Sequence, residues 1–419
     1  MHEDDWPQPE RSRWISRRCL LAVAGSVAAG SVAAGVSLLG TGSGDGAADG
    51  TAAPGARSGP HRNLLPQVRM AKTTSVGRGV ERTSFPITWI GLTWTGSAHG
   101  VRLRTFDQDK KPGAWQDVVA GCPCGMKPGA MGPMSQAMVP GDGGYGYQLD
   151  VNSDAMVIEA VAINAGRFKP RVDAATGTPL PTTSPSALAR TSASPSASAS
   201  AKPSAAGGSR PLSFPPKGLV HRAGWGADEA KRLTADGRES SPAQFSRAQA
   251  ITVHHTATPL DDPDPAATVR AIYQQHAVAN DWGDIGYNFL IDRQGTIYEG
   301  RYSGEDGIPA HNTRNEVVTG FHTYGYNPGN IGIALLGNFV KDKPSARMRA
   351  SLIRLTSALA HLHDLDPRAR ITYHNPTSGR VTKGPALGGH RDWTATECPG
   401  SAAYLDLAEM REQAARAAR

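Results

Sequence analysis

One stretch near the middle of the chain limits what its 419 residues can fold into. Residues 183–206 are almost entirely serine, alanine, proline and threonine. Such a stretch lacks the apolar side chains whose burial offsets the entropy lost when a chain becomes ordered. We therefore expect residues 170–216 to form an extended, flexible linker with some polyproline character. The chain should then fold as two halves that are energetically independent of each other.

The N-terminus carries the features of an export signal. Arg17 and Arg18 precede a mildly apolar run, residues 22–39, that consists largely of alanine, glycine, serine and valine. Paired arginines before such a run resemble a twin-arginine signal. The run is near the length of a membrane span, but its glycines and serines favour a cleaved leader over a permanent anchor. We expect residues 1–50 to be a signal peptide of a protein that is secreted or held in the cell wall, with no stable membrane span after cleavage.

Residues 66–169 show the period of β-strands. Residues 101–106 and 145–151 alternate apolar and polar side chains, and glycine, proline and aspartate separate the runs. This pattern predicts a small all-β domain. Its Trp89, Trp94 and Trp115 can stack on sugars, but core positions are the commoner use of tryptophan. No group of residues in this domain points to a chemical reaction, so its role stays unassigned.

Charge and cysteine content narrow the classes of function. Nearly all of the formal net charge of +7 lies before residue 217. A leader peptide accounts for part of this excess, and attraction to an anionic polymer is the alternative. Clusters of Lys and Arg interleaved with aromatics are missing, so we expect no nucleic-acid partner. The four cysteines, Cys19, Cys122, Cys124 and Cys398, do not form a disulfide framework. For Cys122 and Cys124, a local disulfide and two free thiols both remain open.

The second half, residues 217–419, mixes helical and strand patterns. Apolar residues at helical spacing predict helices at three places, and β-branched or apolar runs predict strands at three others. The predicted helices are 265–278, 345–363 and 402–418, and the predicted strands are 287–292, 296–299 and 330–337. Interleaved elements of this kind predict an α/β fold, a mixed β-sheet flanked by helices.

Three residues of this half suit a metal ion. His390 and Cys398 lie eight residues apart in a segment rich in turn formers, and His254 ends a β-branched run with His255 beside it. Imidazole and thiolate are both good Zn²⁺ ligands. Three protein ligands leave the fourth tetrahedral position for water, which is typical of catalytic rather than structural zinc.

Together with residues 284–289, which read Asp-Ile-Gly-Tyr-Asn-Phe, these segments resemble one family. It comprises the secreted bacterial zinc-dependent N-acetylmuramoyl-L-alanine amidases, which share their fold with peptidoglycan recognition proteins. The resemblance implies a Zn²⁺-dependent hydrolase acting on peptidoglycan, at the amide between N-acetylmuramic acid and L-alanine. It implies His254, His390 and Cys398 as ligands, with His255 packing on the opposite face. It also implies Tyr287 as a catalytic residue.

Other positions of the family pattern are filled in ways that bear on mechanism. Thr396 occupies a catalytic position where relatives carry either lysine or threonine, and a threonine acts there only through its hydroxyl. More distant amidases carry a glutamate near the position of Ala334, so that base is missing here. Residues 320–327 resemble a groove segment that contacts the muramyl-peptide, which suggests His322 and Asn327 as substrate contacts. A surface-loop histidine is the alternative for His322.

Two other functions compete with this interpretation. The first is a non-catalytic peptidoglycan-binding protein of the same fold, although relatives of that kind usually lose a zinc ligand. The second is a cysteine hydrolase that uses Cys398 as nucleophile and His390 as base. That chemistry gives no role to His254 or Tyr287. Metal dependence distinguishes this cysteine hydrolase from a zinc-dependent amidase, because only the amidase needs the ion.

Overall fold

The computed structural model describes residues 65–74, 77–97, 99–121, 134–167 and 214–418. The predicted signal peptide, residues 1–50, lies outside these residues. So do most of the predicted linker and the pair Cys122 and Cys124. The domain boundaries placed at these segments stay predictions.

The period-two pattern of the first half forms an antiparallel sheet. Its six strands in the described residues are β1 (Arg69–Thr74), β2 (Val80–Gly96), β3 (Val101–Phe106), β4 (Gln116–Asp117), β5 (Met134–Val151) and β6 (Ala155–Asn164). They lie in the order β1-β6-β2-β5-β3-β4, and every neighbouring pair is antiparallel. For the described residues of this half, the predicted all-β architecture is confirmed.

The three tryptophans of this sheet differ in burial. Trp94 is fully buried and Trp89 nearly so, as expected for core residues. Trp115 is 36% exposed, and the guanidinium groups of Arg102 and Arg104 lie 5.5 and 4.6 Å from its ring centroid. Trp115 therefore packs against two guanidinium groups through cation–π contacts and is not a core residue.

The second half contains a mixed sheet with helices. Its strands are β7 (Phe245–Ser246), β8 (Ala250–His255), β9 (Phe289–Ile291), β10 (Ile297–Glu299), β11 (Val317–Val318), β12 (Asn330–Leu335), β13 (Arg370–His374), β14 (Val381–Pro385) and β15 (Leu387–Gly389). Its α-helices are α1 (Arg222–Trp225), α2 (Pro265–Gln274), α3 (Ala346–Leu362) and α4 (Ser401–Ala417). The main sheet has the order β10-β9-β12-β8-β15, while β7 pairs with β11 and β13 with β14. The predicted α/β fold is confirmed.

The middle of the main sheet is parallel and buried. All residues of β8 and β12 are buried, and β8 pairs in parallel with both β12 and β15. Strands covered on both faces are rich in apolar residues, as β12 is, whereas β8 also buries a threonine and two histidines. On one face, Met348, Leu352 and Leu355 of α3 belong to the same core as the strands. The carboxyl ends of β8 and β15 therefore lie side by side at one edge.

The helix predicted at 265–278 changes geometry before it ends. Asp264 caps α2 by accepting a hydrogen bond from the Ala267 backbone N–H, and Pro265 occupies the first turn. After Gln274 the chain continues as a π-helical turn, Gln275–Ala279. Turns of this kind are often found beside functional sites.

The two halves pack against each other. Trp89, Val161 and Ile163 of the sheet form one apolar cluster with Ala267 and Ala271 of α2. The expectation of two energetically independent halves is therefore wrong. A linker's composition describes the linker itself, whereas both faces of β6 carry apolar residues that need cover.

The guanidinium of Arg270, in α2, is the polar centre of this interface. Its Nε and Nη2 donate to the carbonyls of Ala165 and Gly166 at 2.9 Å each, and Nη1 donates to the Trp225 carbonyl at 2.8 Å. Only 2% of Arg270 is exposed. Hydrogen bonds to backbone carbonyls thus satisfy a cation that is otherwise costly to bury.

Among the residues that the structure describes, no helix has the length and apolar character that a membrane span requires.

Candidate metal centre

Adjacent strand ends bring two histidines together. Gly389, the last residue of β15, pairs with Val253 of β8, so His390 and His254 follow side by side at the carboxyl edge of the sheet. His390 begins a short helical turn, and the chain then returns so that Cys398 approaches from the far end of this loop. The sheet register therefore explains why these distant residues meet.

The three predicted ligands converge within a small volume. Ligand atoms of His254, His390 and Cys398 all lie within 4.8 Å of one another, and all three residues are buried. The distance from Cys398 Sγ to His254 Nδ1 is 3.6 Å. Tetrahedral zinc with ordinary Zn–N and Zn–S bond lengths separates nitrogen from sulfur by about 3.6 Å. The spacing suits zinc.

The protonation states of the two histidines also suit a metal. Burial lowers the pKa of His390 to about 3 and holds the pKa of His254 well below its usual value. Both rings are therefore neutral at pH 7, and a neutral imidazole keeps the lone pair that a metal ligand needs.

The cysteine needs a cation before it can ionise. Burial raises the pKa of the Cys398 thiol to about 12, although the His255 backbone N–H donates to the sulfur at 3.4 Å. A divalent metal supplies the charge that stabilises the thiolate. The donor set, two neutral imidazoles and one thiol, therefore fits a zinc ion.

His255 lies on the other face of β8. Its Nδ1 accepts a hydrogen bond from the Phe339 backbone N–H at 3.2 Å, and only 2% of the residue is exposed. Strand alternation points neighbouring side chains to opposite faces, so His255 packs in the core while His254 faces Cys398.

Tyr287 lies beside the three ligands. Its ring centroid is 5.5 Å from that of His254 and 5.5 Å from that of His276, which lies in the π-helical turn. Burial raises the pKa of the phenol far above neutral, so the hydroxyl keeps its proton and can donate it in a hydrogen bond. Tyr287 also lines a cavity of about 30 Å³ with Gln136, Thr256 and Gln275, so the all-β half borders the centre.

Two threonines support the ligand loop. Thr396 is half-buried, and its hydroxyl accepts a hydrogen bond from the Cys398 backbone N–H at 3.2 Å. The hydroxyl of Thr394 lies 2.9 Å from His390 Nε2. The sequence analysis did not single out Thr394. Its spacing of four residues from His390 indicates that the two side chains can meet across one helical turn.

His322 lies behind one of the predicted metal ligands and not at the surface. The predicted role was a substrate contact, yet the side chain is fully buried behind His254. Its Nδ1 lies 3.1 Å from His254 Nε2, and its Nε2 lies 3.0 Å from the carbonyl oxygen of Asn330. The alternative of a surface-loop histidine is wrong because the ring is enclosed by protein, and the substrate contact stays a prediction.

Asn327 holds the loop that carries His322. Its Oδ1 accepts the backbone N–H groups of His322 and Thr323 at 2.9 and 2.7 Å. Because Oδ1 makes these two hydrogen bonds and the residue is only half-buried, Nδ2 is the side-chain atom that can contact a ligand.

The second strand beside His254 carries no acid at the matching position. Ala334 of β12 is the direct register partner of His254 and is fully buried. The sequence analysis placed the glutamate of more distant amidases near this position, where this chain has alanine.

Comparisons with known proteins identify relatives of the second half of the chain. A family profile described as N-acetylmuramoyl-L-alanine amidase matches residues 244–401. The peptidoglycan-recognition protein SC1a/b of Drosophila simulans is 32% identical over 191 residues, which are 45% of this chain and 83% of that protein. The human N-acetylmuramoyl-L-alanine amidase is 31% identical over 158 residues, which are 37% of this chain and 23% of that protein.

A solved structure gives a further match. The wild-type Drosophila PGRP-LB structure is 26% identical, with a TM-score of 0.33, and the match covers 45% of this chain and 92% of that one. The family assignment rests on the identity to the peptidoglycan-recognition protein of Drosophila simulans and on the large share of that protein that is matched. This chain belongs to the family of peptidoglycan-recognition proteins and N-acetylmuramoyl-L-alanine amidases.

Proposed function

We propose that this protein is a zinc-dependent hydrolase that cleaves the amide bond between N-acetylmuramic acid and L-alanine in bacterial peptidoglycan. The observation that carries the proposal is the convergence of His254, His390 and Cys398 within 4.8 Å. The similarity to a human protein named for this amidase activity supports the choice of bond.

The ligand set favours catalysis over a purely structural ion. Structural zinc sites use four protein ligands, whereas three leave a position for water or substrate. Zn²⁺, when bound, supplies Lewis acidity that activates a water molecule and polarises a carbonyl. The chain itself contributes two buried strand ends and the loop after β15, which together hold the three donors in place.

Tyr287 and Thr396 are the proposed catalytic partners of the metal. The buried neutral phenol of Tyr287 can donate a hydrogen bond to the oxygen that becomes negative in the transition state. Thr396 carries no charge, and its hydroxyl accepts from the Cys398 N–H, so it orients the ligand loop and keeps its own O–H proton to donate. We assign Asn327 Nδ2 to a contact with the muramyl-peptide, because its Oδ1 is already used within the loop.

The position of Cys398 argues against a cysteine hydrolase. Only 2% of Cys398 is exposed, and burial raises the pKa of its thiol to about 12. Reactive cysteines are partly exposed and have a lowered pKa. A free Cys398 thiolate that attacks a substrate is therefore disfavoured.

The decisive experiment compares metal-stripped and zinc-restored protein on purified peptidoglycan, with newly freed L-alanine amino groups as the readout. We expect activity to vanish on chelation and to return with Zn²⁺. Release of L-alanine termini that resists chelation would contradict the zinc mechanism. A protein that only binds would release nothing in either state and would still sediment with the wall.

Cys398→Ser is the matched variant for the same assay. A serine hydroxyl is a far poorer zinc ligand than a thiolate, so we expect loss of bound zinc and at most partial activity in excess zinc. A thiol-alkylating reagent that abolished activity in metal-free protein would instead support a cysteine nucleophile.

We also propose export through the twin-arginine route, on the basis of Arg17 and Arg18 and the apolar run after them. Replacing both arginines with lysine should retain the protein inside the cell, as measured by fractionation. Unchanged secretion of that variant would contradict the proposed route.

A further inference from the structure

We propose that His322 is a positioning residue, which fixes the proton of His254 on Nε2 and so leaves His254 Nδ1 as the metal-binding atom. This inference rests on the zinc site of the proposed function. It concerns the hydrogen bonds behind the ligand, which exist in the protein without any metal.

The direction of the hydrogen bonds follows from a backbone carbonyl. The oxygen of Asn330 can only accept, and it lies 3.0 Å from His322 Nε2, so that nitrogen carries the proton. A neutral imidazole has one N–H, and therefore His322 Nδ1 is an acceptor. His254 Nε2 lies 3.1 Å from this Nδ1 and must donate to it. The remaining nitrogen of His254, Nδ1, faces Cys398 Sγ at 3.6 Å with its lone pair.

Thr323 also contacts this relay and does not change its direction. The hydroxyl of Thr323 lies 3.0 Å from His322 Nδ1. A hydroxyl rotates to donate or to accept, whereas the Asn330 carbonyl has no such freedom. Thr323 therefore adds a second donor to the same lone pair, and the proton stays on Nε2.

The fold provides a seat for the His322 ring. A Cβ on Gly320 would lie 2.7 Å from His322 Cδ2, and a Cβ on Gly332 would lie 2.5 Å from the same atom. Real Cβ contacts of this length essentially do not occur, so both positions need glycine while the imidazole is in place. Two glycines, the Asn330 carbonyl and the Asn327 side chain thus hold the ring in one orientation.

A ring fixed in this way bears directly on metal affinity. Ligating histidines usually donate their second N–H to a fixed acceptor, and loss of that acceptor typically weakens metal binding about 10–100-fold. Here the acceptor is itself a histidine, which passes the hydrogen bond on to the backbone of β12.

The test compares His322→Leu with His322→Gln in the full-length protein. Leucine removes both hydrogen bonds, whereas the glutamine amide can accept from His254 and donate to Asn330. We expect His322→Leu to weaken zinc binding about 10–100-fold and His322→Gln to stay within about threefold of the wild type. Zinc affinity is measured by competition with a chromophoric chelator, and the Co²⁺–thiolate absorption band reports the geometry.

His363→Gln is the control, because His363 is a half-buried histidine whose Nε2 contacts His311 Nε2 at 2.9 Å. It should leave zinc affinity unchanged. Wild-type affinity in folded His322→Leu would overturn the proposal. An equal loss in the leucine and glutamine variants would also overturn it, because packing alone would then explain the effect.

A measurement on the unmutated protein avoids any dependence on how the variants fold. In metal-free protein, ¹⁵N chemical shifts of the imidazole nitrogens should show the Nε2–H form for both His254 and His322. A proton on His254 Nδ1 would overturn the inference. This readout needs neither zinc nor peptidoglycan, so a protein that fails to cleave the wall would refute the proposed function and leave this result standing.

Discussion

At the scale of single residues, the ligands and Tyr287 have separable tasks. In the proposed mechanism His254 and His390 supply nitrogen atoms to the metal, whereas Tyr287 contributes a proton donor from a ring 5.5 Å away from that of His254. Substitution at the two kinds of position should therefore give different combinations of zinc content and turnover.

We expect His254→Ala and His390→Ala to lose bound zinc together with amidase activity. Tyr287→Phe should keep its zinc and lose about 10²–10³-fold in kcat, the range for removal of one transition-state hydrogen bond. Metal analysis and L-alanine release measure the two properties. Equal zinc loss in all three variants would show that Tyr287 acts through the metal site.

Buried neutral histidines make the metal-free protein sensitive to acid. Burial lowers the pKa of His276 to about 3, and of His311 to about 4. Between these values and the unfolded value near 6.5, the unfolded chain binds more protons, so stability falls as pH falls. Each such histidine should remove about 1.4 kcal/mol per pH unit below 6.5.

Urea unfolding of metal-free protein at pH 7 and pH 5 measures this effect. His311→Gln removes one titrating imidazole and should reduce the pH dependence by that histidine's share. A free energy of unfolding that is the same at both pH values would contradict the prediction.

Some of the residues around the candidate metal centre could be predicted from the sequence and others could not. His254, His390 and Cys398 could be predicted because their chemistry depends on residue type and order along the chain. The position of His322 could not, since a histidine in a turn-rich segment can face either solvent or core. Only the approach of β12, with Gly332 beneath the ring, decides between the two.

At the scale of elements, local patterns predicted the helices and central strands well. Helix α3 (Ala346–Leu362) lies within the predicted 345–363, and α4 (Ser401–Ala417) is displaced by one residue from 402–418. The hairpin of β13 and β14 was not predicted. Its strands are short and partly exposed, so periodicity over a few residues gives little signal.

Helix α2 offers a test of how one cap stabilises an element. Asp264 Oδ1 accepts the Ala267 N–H at 3.0 Å, so Asp264→Ala should lower the free energy of unfolding by about 1 kcal/mol. Asp264→Asn keeps the capping oxygen and serves as the control, with a much smaller expected loss. Equal destabilisation by both variants would assign the effect to the carboxylate charge, which lies 3.9 Å from Arg270.

At the scale of the whole molecule, the contact between the halves is the feature that composition did not predict. The linker composition predicts a segment without a core of its own, but it contains no information about the faces of β2 and β6. Their apolar residues meet α2, and Lys72 of β1 donates to the Ala279 carbonyl in the adjoining turn at 3.0 Å.

Arg270→Met tests this contact. The change removes the hydrogen bonds to the carbonyls of Ala165, Gly166 and Trp225 and leaves these acceptors without the guanidinium donors, so we expect a loss of about 2–4 kcal/mol in the free energy of unfolding. Arg314→Met is the control, because the Arg314 side chain is 77% exposed and should change stability by less than about 0.5 kcal/mol. Urea unfolding measures both, and equal stability of the two variants would mean that the halves are held by the apolar cluster alone.

The atoms that receive the Arg270 hydrogen bonds affect how this interface can evolve. The acceptors described above are all main-chain carbonyls, and two of them, at residues 165 and 166, lie just after the last strand of the sheet. A carbonyl oxygen is present whatever side chain occupies the position, so mutation there rarely removes the acceptor. The guanidinium, in contrast, comes from one residue type alone. Natural variation should therefore be restricted more strongly at position 270 than in the strand ends it touches, and the sheet half is free to diverge while it stays attached.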